Sequence, residues 1–425
     1  MKESVKVKQM SNFDKKMKQY AKLLIEAGVN IQKGDTLVIH SPVELQELVH
    51  LCTEAAYEAG CREVIVGWKD DFVERQKYLY ADDEAIDTFQ EMERQAYVQG
   101  LGEGKAMLEF YCGDPDKMNG VSVDRFVRAR KARMSQINEY YDLLSSGIAR
   151  QCTTAPPLHF SAEKVYPDLD KDEALKKMWE NIFVAMRIDG EHDPVEQWQH
   201  RFEEMEQQSK VLNSMNLKSL HYTNALGTDL EIKLIDEHIW DFCLEETVSG
   251  IKFFMNIPSE EIYSVPRRDG VNGKVVGSIP LVYQGNRIEN YWLRFKDGAV
   301  VDFAAEKGED SLRALLSVDE GAKHLGEVAL VPKSSAIKKS GILFMDPLYD
   351  ENASCHLALG TGIPMCVKGG DGMMEEELEK AGLNTSAVHV DFMIGTDDLS
   401  IIGTTADGKE VPIFVDGDFA PKLFG

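Results

Sequence analysis

An α/β N-terminal domain followed by a β-rich α+β C-terminal domain is the fold class this sequence predicts, and three observations predict it. The chain is 425 residues long, too long for one ordinary small core and long enough to bury two. A strand–helix–strand signature occupies residues 36–67. After Leu217 the texture changes to short β-prone runs divided by Gly, Asp and Pro. The expected domains are residues 1–190 and 191–425.

The first stretch, MKESVKVKQMSNFDKKMKQY, carries lysines but neither an apolar run nor a small-residue cleavage site. It does not read as a signal peptide, and a cytoplasmic location is expected. Thr36 to His40 is a short β-rich run, and Ser41-Pro42-Val43-Glu44 follows it with an N-cap serine, proline at the first helical position and a glutamate three residues after the cap. Leu45, Leu48, Val49, Cys52 and Ala56 recur at helical spacing until Gly60, and Glu63 to Gly67 reads as a second buried strand. The unit is β-α-β with parallel strands.

Helical stretches are expected around 72–97, 123–147 and 172–186. Asp193-Pro194-Val195-Glu196 repeats the cap pattern before a long polar helix ending near Met215. Strand-like runs follow at Asp229 to Leu234, Lys274 to Ser278, Glu327 to Val331, Ile342 to Met345 and Val388 to Ile394, with a helix at Glu375 to Ala381. GLGEGK at 100–105 fails the phosphate-loop spacing and lacks the following Ser or Thr.

Composition excludes several partners. A formal charge of −25 repels a phosphate backbone, and the basic residues form no block with interleaved aromatics, so nucleic acid is not expected. No run of 18 apolar residues is present to span a bilayer. Seven cysteines, at 52, 61, 112, 152, 243, 355 and 366, are odd in number and form no CxxC pair, which predicts reduced thiols and no zinc ribbon.

The residues able to carry chemistry cluster late in the chain. His389 and Asp391 sit two apart in VHVDFMIG, so on a strand both project from one face and can reach one ion. His356 follows a turn-forming acidic segment in DENASCHLALG. Cys355 beside it points to the other side of an extended chain, which makes it a core thiol and not a nucleophile paired with His356. Glu327 interrupts the apolar run LGEVALVP with a carboxylate that is costly to bury without a cation or donor. Glu260-Glu261 in NIPSEEIYSVP poses the same question. For each of these residues a structural ion pair or a solvated position is the plainer reading from pattern alone.

The segments NIPSEEIYSVP, LGEVALVP, DENASCHLALG and HVDFMIG, with VNIQKGDTLVI, AAYEAG and GTDL, resemble in order and spacing the thermophilic-type metalloaminopeptidases, the family of aminopeptidases T and S. The resemblance runs from about residue 16 to the C-terminus. It implies a C-terminal catalytic domain in which Glu261, Glu327, His356, His389 and Asp391 hold two divalent ions; the mixed carboxylate and imidazole donors suit zinc, cobalt or manganese, and Glu327 is the candidate bridge. It further implies a homodimer and a peptide substrate that loses its N-terminal residue to a two-metal-activated hydroxide. Glu260 is expected on the opposite strand face, as a structural or surface group.

One position departs from the family pattern. A tyrosine seven residues after the histidine, in HxALGxxY, is replaced by Ile363 in HLALGTGIP. Isoleucine donates no hydrogen bond, and losing an oxyanion donor costs about 100- to 1000-fold in rate. Tyr263 and Tyr349 are the candidate substitutes. The alternative expectation is a metal-binding relative with weak or lost peptidase activity that still binds peptide, or a hydrolase of another small amide or ester.

Overall fold

The computed structural model describes residues 11–114, 117–284 and 286–424; part of the signal-peptide reading rests on residues 1–10, which lie outside them. The chain divides into two compact units. One is built from the residues up to His200 together with Leu244–Ile257, the other from Arg201–Cys243 and from Pro258 onward. The single cut expected at residue 190 therefore differs from this division in two segments, residues 191–200 and Leu244–Ile257. Leu244–Glu246 and Lys252–Phe254 form a hairpin whose continuation runs beside the strand Gln151–Thr154, where Thr153 N–H donates to the Met255 carbonyl at 2.7 Å. Those backbone bonds assign the segment to the first unit.

The first unit is α/β. Its sheet has the strand order Glu63–Lys69, Thr36–Pro42, Lys105–Phe110, Gln151–Thr154, with every pairing parallel. The β-α-β reading of residues 36–67 is borne out, but the strand runs through Ser41 and Pro42, which pair with Trp68 and Lys69. The helix starts later, as a 3₁₀ turn at Val43–Leu45 and then Gln46–Glu58. Ser41 is thus a strand residue, its hydroxyl spent on the Pro42 carbonyl at 2.9 Å. Proline is tolerated there because it closes the strand, where a missing N–H costs little.

The expected helix over 72–97 is three, Asp71–Tyr80, Asp83–Asp87 and Glu91–Val98, and that over 123–147 is two, Val123–Gln136 and Asn138–Ser145. The long helix Pro194–Met215 matches expectation, with Asp193 accepting the Val195 N–H at 3.0 Å as its cap.

In the second unit a nine-stranded sheet flanks a smaller one that positions the site. The smaller sheet is antiparallel, in the order His389–Met393, His356–Gly360, Leu325–Leu330, Ile262–Ser264. The expected strand Ile342–Met345 is not one: Phe344 is buried there, stacks on Tyr349 at 4.7 Å, and its N–H donates to Asp350. The run is apolar because it packs beneath the turn, not because it pairs. Among the described residues no helix is long and apolar enough to cross a membrane.

Candidate metal centre

Register decides which side chains meet. Glu327 pairs with Ala358, and Ala358 pairs with Asp391, so the three share one sheet face. His356 and His389 stand two residues from Ala358 and Asp391 on their own strands and join that face. Glu261 immediately precedes the strand Ile262–Ser264 and enters from the sheet's edge. Ala358, central in the row, offers only a methyl group.

Glu327 reaches this face through a bulge. Leu325 pairs with Leu359 and Glu327 with Ala358, so one extra residue, Gly326, reverses the alternation between them. Only glycine fits, since a Cβ at 326 would lie 2.2 Å from the Thr361 carbonyl oxygen. The carboxylate in an apolar strand is thereby turned from the Leu325 side toward the histidines.

All five predicted ligands converge. Glu261, Glu327 and His356 form one group whose ligand atoms lie within 4.8 Å of one another, and Glu327, His389 and Asp391 form a second. Glu327 belongs to both, with one oxygen for each. Its Oε1 lies 3.9 Å from His356 Nε2 and its Oε2 lies 3.0 Å from His389 Nε2. Glu261 Oε2 is 3.1 Å from His356 Nε2, and Asp391 Oδ1 is 3.3 Å from His389 Nε2. The Glu261 group is enclosed, whereas the His389 side chain is 31% exposed, so the centre opens on that side.

The ring orientations favour a cation. His356 Nδ1–H donates to the Ser354 carbonyl at 3.2 Å, and His389 Nδ1–H to the Thr361 carbonyl at 2.8 Å. Each donation leaves Nε2 as the lone-pair nitrogen, aimed at carboxylates. Two lone-pair acceptors at such distances require a positive charge between them. Glu261 Oε2 and Asp391 Oδ1 are buried without a hydrogen bond, which fits donors meant for an ion.

The titration behaviour agrees. Burial opposes protonation of His356, yet the Glu261 carboxylate beside it and the charges of Glu327 and Asp391 raise it to about 10. His389 is raised to about 12 against the same opposition, by Asp391 and Glu327. Glu327 is itself raised, by burial and then by the neighbouring carboxylates. The cluster draws protons where cations would sit.

Glu351 is a member that sequence reading missed. Burial first, then the charges of Glu261 and Asp391, push its carboxyl well above the usual range. It lies in the acidic turn before His356, and a carboxylate five residues ahead of a ligand-bearing strand was the available signal. Asn352 ties it to the ligands: its amide nitrogen is 3.3 Å from Glu351 Oε1, while its carbonyl oxygen accepts the Glu260 N–H at 2.7 Å.

Glu260 is structural, as expected, but the surface option is corrected. It is 1% exposed and accepts from Arg201 Nε at 2.8 Å, so a buried ion pair anchors the residue beside Glu261. Cys355 is core, its thiol donating to the Val331 carbonyl at 3.3 Å. None of the seven cysteines forms a disulfide.

Ile363 packs against an apolar cluster that includes Tyr263 and Ala329. Tyr263 pairs with Ala329, which pairs with His356, so Tyr263 stands on the ligand-bearing face. Burial holds its hydroxyl protonated, far above the usual range. Tyr349 is enclosed in its stack with Phe344.

Paired imidazoles and carboxylates on one sheet face, with a shared glutamate, define a metal-dependent hydrolase. The sequence pattern of the family described as thermophilic metalloprotease (M29) matches residues 13–419, and the chain belongs to that family. It is 40% identical to aminopeptidase AmpS of Bacillus subtilis (strain 168) over 97% of this chain and 100% of that protein. It is 34% identical to aminopeptidase T of Thermus aquaticus over 95% and 98%. The structure of wild-type AmpT from Thermus thermophilus superposes with a TM-score of 0.87 at 32% identity, covering 96% of this chain and all of that one.

Proposed function

We propose that this enzyme, a metal-dependent aminopeptidase like its relatives, holds two divalent ions through Glu261, Glu327, His356, His389 and Asp391. The observation that carries the proposal is the division of Glu327, whose two oxygens face different imidazoles. Zinc, cobalt and manganese suit the mixed carboxylate and imidazole donors. Ions held there would supply polarisation of a scissile carbonyl and acidification of a bound water.

The chain's own residues supply the rest. Glu351, with its raised affinity for protons, takes a proton from the attacking water and returns it to the departing amine. Asn352 holds Glu351 in register with the Glu260-Glu261 corner. Tyr263 keeps a neutral hydroxyl on the same face and is the donor candidate where the family tyrosine is absent. Homodimerisation, implied by the resemblance, belongs to the same reading, as does the cytoplasmic location expected from the sequence, and a sizing column tests the first.

Hydrolysis of leucine p-nitroanilide and of unblocked peptides, abolished by chelator and restored by zinc, cobalt or manganese, is the expected result. Metal-replete protein inactive on a broad panel of free-amine peptides would overturn it. Ile363 favours a second reading, in which the ions are kept but peptide turnover is weak or directed to another small amide or ester. Ile363→Tyr separates the two: a rise of about 100-fold or more marks a lost oxyanion donor, and an unchanged rate marks a rebuilt site.

A further inference from the structure

The first unit carries a polar group of opposite character at the C-terminal margin of its parallel sheet. Gly67, His40 and Glu109 pair in one row across three strands, so they share a face. A Cβ at Gly67 would lie 2.7 Å from His40 Cδ2, so glycine there makes room for the imidazole. Lys69 and Gln151 join the same face from the flanking strands. Tyr97, Arg133 and Tyr140 come from the helices Glu91–Val98, Val123–Gln136 and Asn138–Ser145.

Part of this group satisfies itself. Lys69 Nζ lies 2.7 Å from Glu109 Oε1, Gln151 Nε2 donates to Glu109 Oε2 at 3.2 Å, and Tyr140 donates to Gln151 at 2.6 Å. Two atoms do not. Arg133 Nε is buried without a hydrogen bond, and among the described residues its guanidinium has no ion pair, only the Tyr97 ring 4.8 Å away. His40 is 3% exposed and packs edge-on against the same ring at 5.2 Å, with Nδ1 buried and unpartnered. Burial and then the Lys69 charge push His40 down to about 4, so at neutral pH the ring is uncharged and its buried Nδ1 is left without a partner.

A cationic donor and a neutral imidazole therefore stand beside one aromatic ring. Lys69 and Arg133 outweigh Glu109 in charge, in a chain whose formal charge is −25. The place is also the one where open α/β sheets take ligands. The strand Thr36–Pro42 has Glu63–Lys69 on one side and Lys105–Phe110 on the other, so the strand order reverses beside it, and ligands of such sheets bind by the C-terminal ends at that reversal. Lys69, 39% exposed, gives that end access to solvent.

We propose that this margin of the first unit binds a small carboxylate that also carries a hydrogen-bond donor, the zwitterion of an α-amino acid. The carboxylate takes Arg133, with Lys69 beside it, and the ammonium takes His40 Nδ1 and Glu109. Charge-assisted bonds to both ends make recognition depend on both. Amino acids are also the products of an aminopeptidase, but the site stands on its own residues and not on that reading.

Calorimetric titration of the full-length, metal-loaded protein with L-leucine and glycine tests the proposal, with N-acetyl-leucine lacking the ammonium and leucinamide lacking the carboxylate. Both amino acids are expected to bind, the two blocked compounds at least about tenfold more weakly, and Arg133→Gln to weaken leucine binding about tenfold or more. Peptidase activity of Arg133→Gln should equal that of the parent, and its unfolding midpoint shows that it folds. The same titration after chelation separates this site from the metal centre, because leucine binding here survives removal of the ions. Absence of binding, equal affinity for leucinamide, or binding indifferent to Arg133→Gln would overturn the proposal. So would a leucine-soaked crystal with only an ordered water against Arg133 and His40.

Discussion

His40 and His356 are equally enclosed, 3% and 1% exposed, yet their basicities move in opposite directions. His40 falls to about 4 and His356 rises to about 10. Desolvation acts on both in the same sense, against the charged ring. The difference lies in what surrounds them. His40 has Lys69 and Arg133 against a single carboxylate, Glu109, whereas His356 faces Glu261, Glu327 and Asp391. Burial alone says little about what a histidine does; the sign of its neighbours says whether the site wants an anion or a cation.

The first way to break this comparison is to remove its acidic centre. Glu327→Ala is expected to take aminopeptidase activity below detection while the fold persists, read from leucine p-nitroanilide hydrolysis beside circular dichroism; activity within tenfold of the parent would remove Glu327 from the centre. Next in size is Glu351→Gln, expected to lower kcat by about 10²–10⁴ with bound metal unchanged. Loss of metal in that variant would instead move Glu351 among the ligands.

A third prediction sharpens the comparison directly. With His356 raised to about 10 and His389 to about 12, both are protonated at pH 7.5 in the metal-free protein. Adding zinc should release protons, about two per chain, measured with a pH indicator in weak buffer. The His356→Ala variant should release fewer, and His40→Gln as many as the parent. Zinc binding without proton release would contradict the assignment.

The smallest effect concerns His40 itself. Its folded pKa lies below the ordinary 6.5, so the contribution of the neutral ring is present above that value and lost as pH falls toward about 4. Urea midpoints of the parent should drop between pH 7 and pH 4.5 more than those of His40→Gln. Parallel midpoints for the two proteins would place the acid sensitivity elsewhere.

Much of this was legible in the sequence, for physical reasons that differ by region. The parallel β-α-β unit announced itself through period and turn residues, and His389 and Asp391 through their spacing of two on a strand. Convergence of Glu327 with them was not legible from its own strand, because it depends on the Gly326 bulge, and a bulge is set by cross-strand register. The strand expected at Ile342–Met345 failed since an apolar run reads alike whether it pairs or packs, and here Phe344 packs on Tyr349. Ser41 misled in the same local way, its cap pattern overridden by pairing with Trp68. Glu351 and Arg133 were invisible for a common reason: their meaning lies in partners brought from other strands and helices.

Metal analysis of the dialysed protein tests the central claim most directly. Shared use of Glu327 predicts two ions per chain in the parent, loss of both in Glu327→Ala, and retention of one in Asp391→Ala, whose partners serve only the His389 side. A single ion in the parent, or both ions kept in Glu327→Ala, would contradict it.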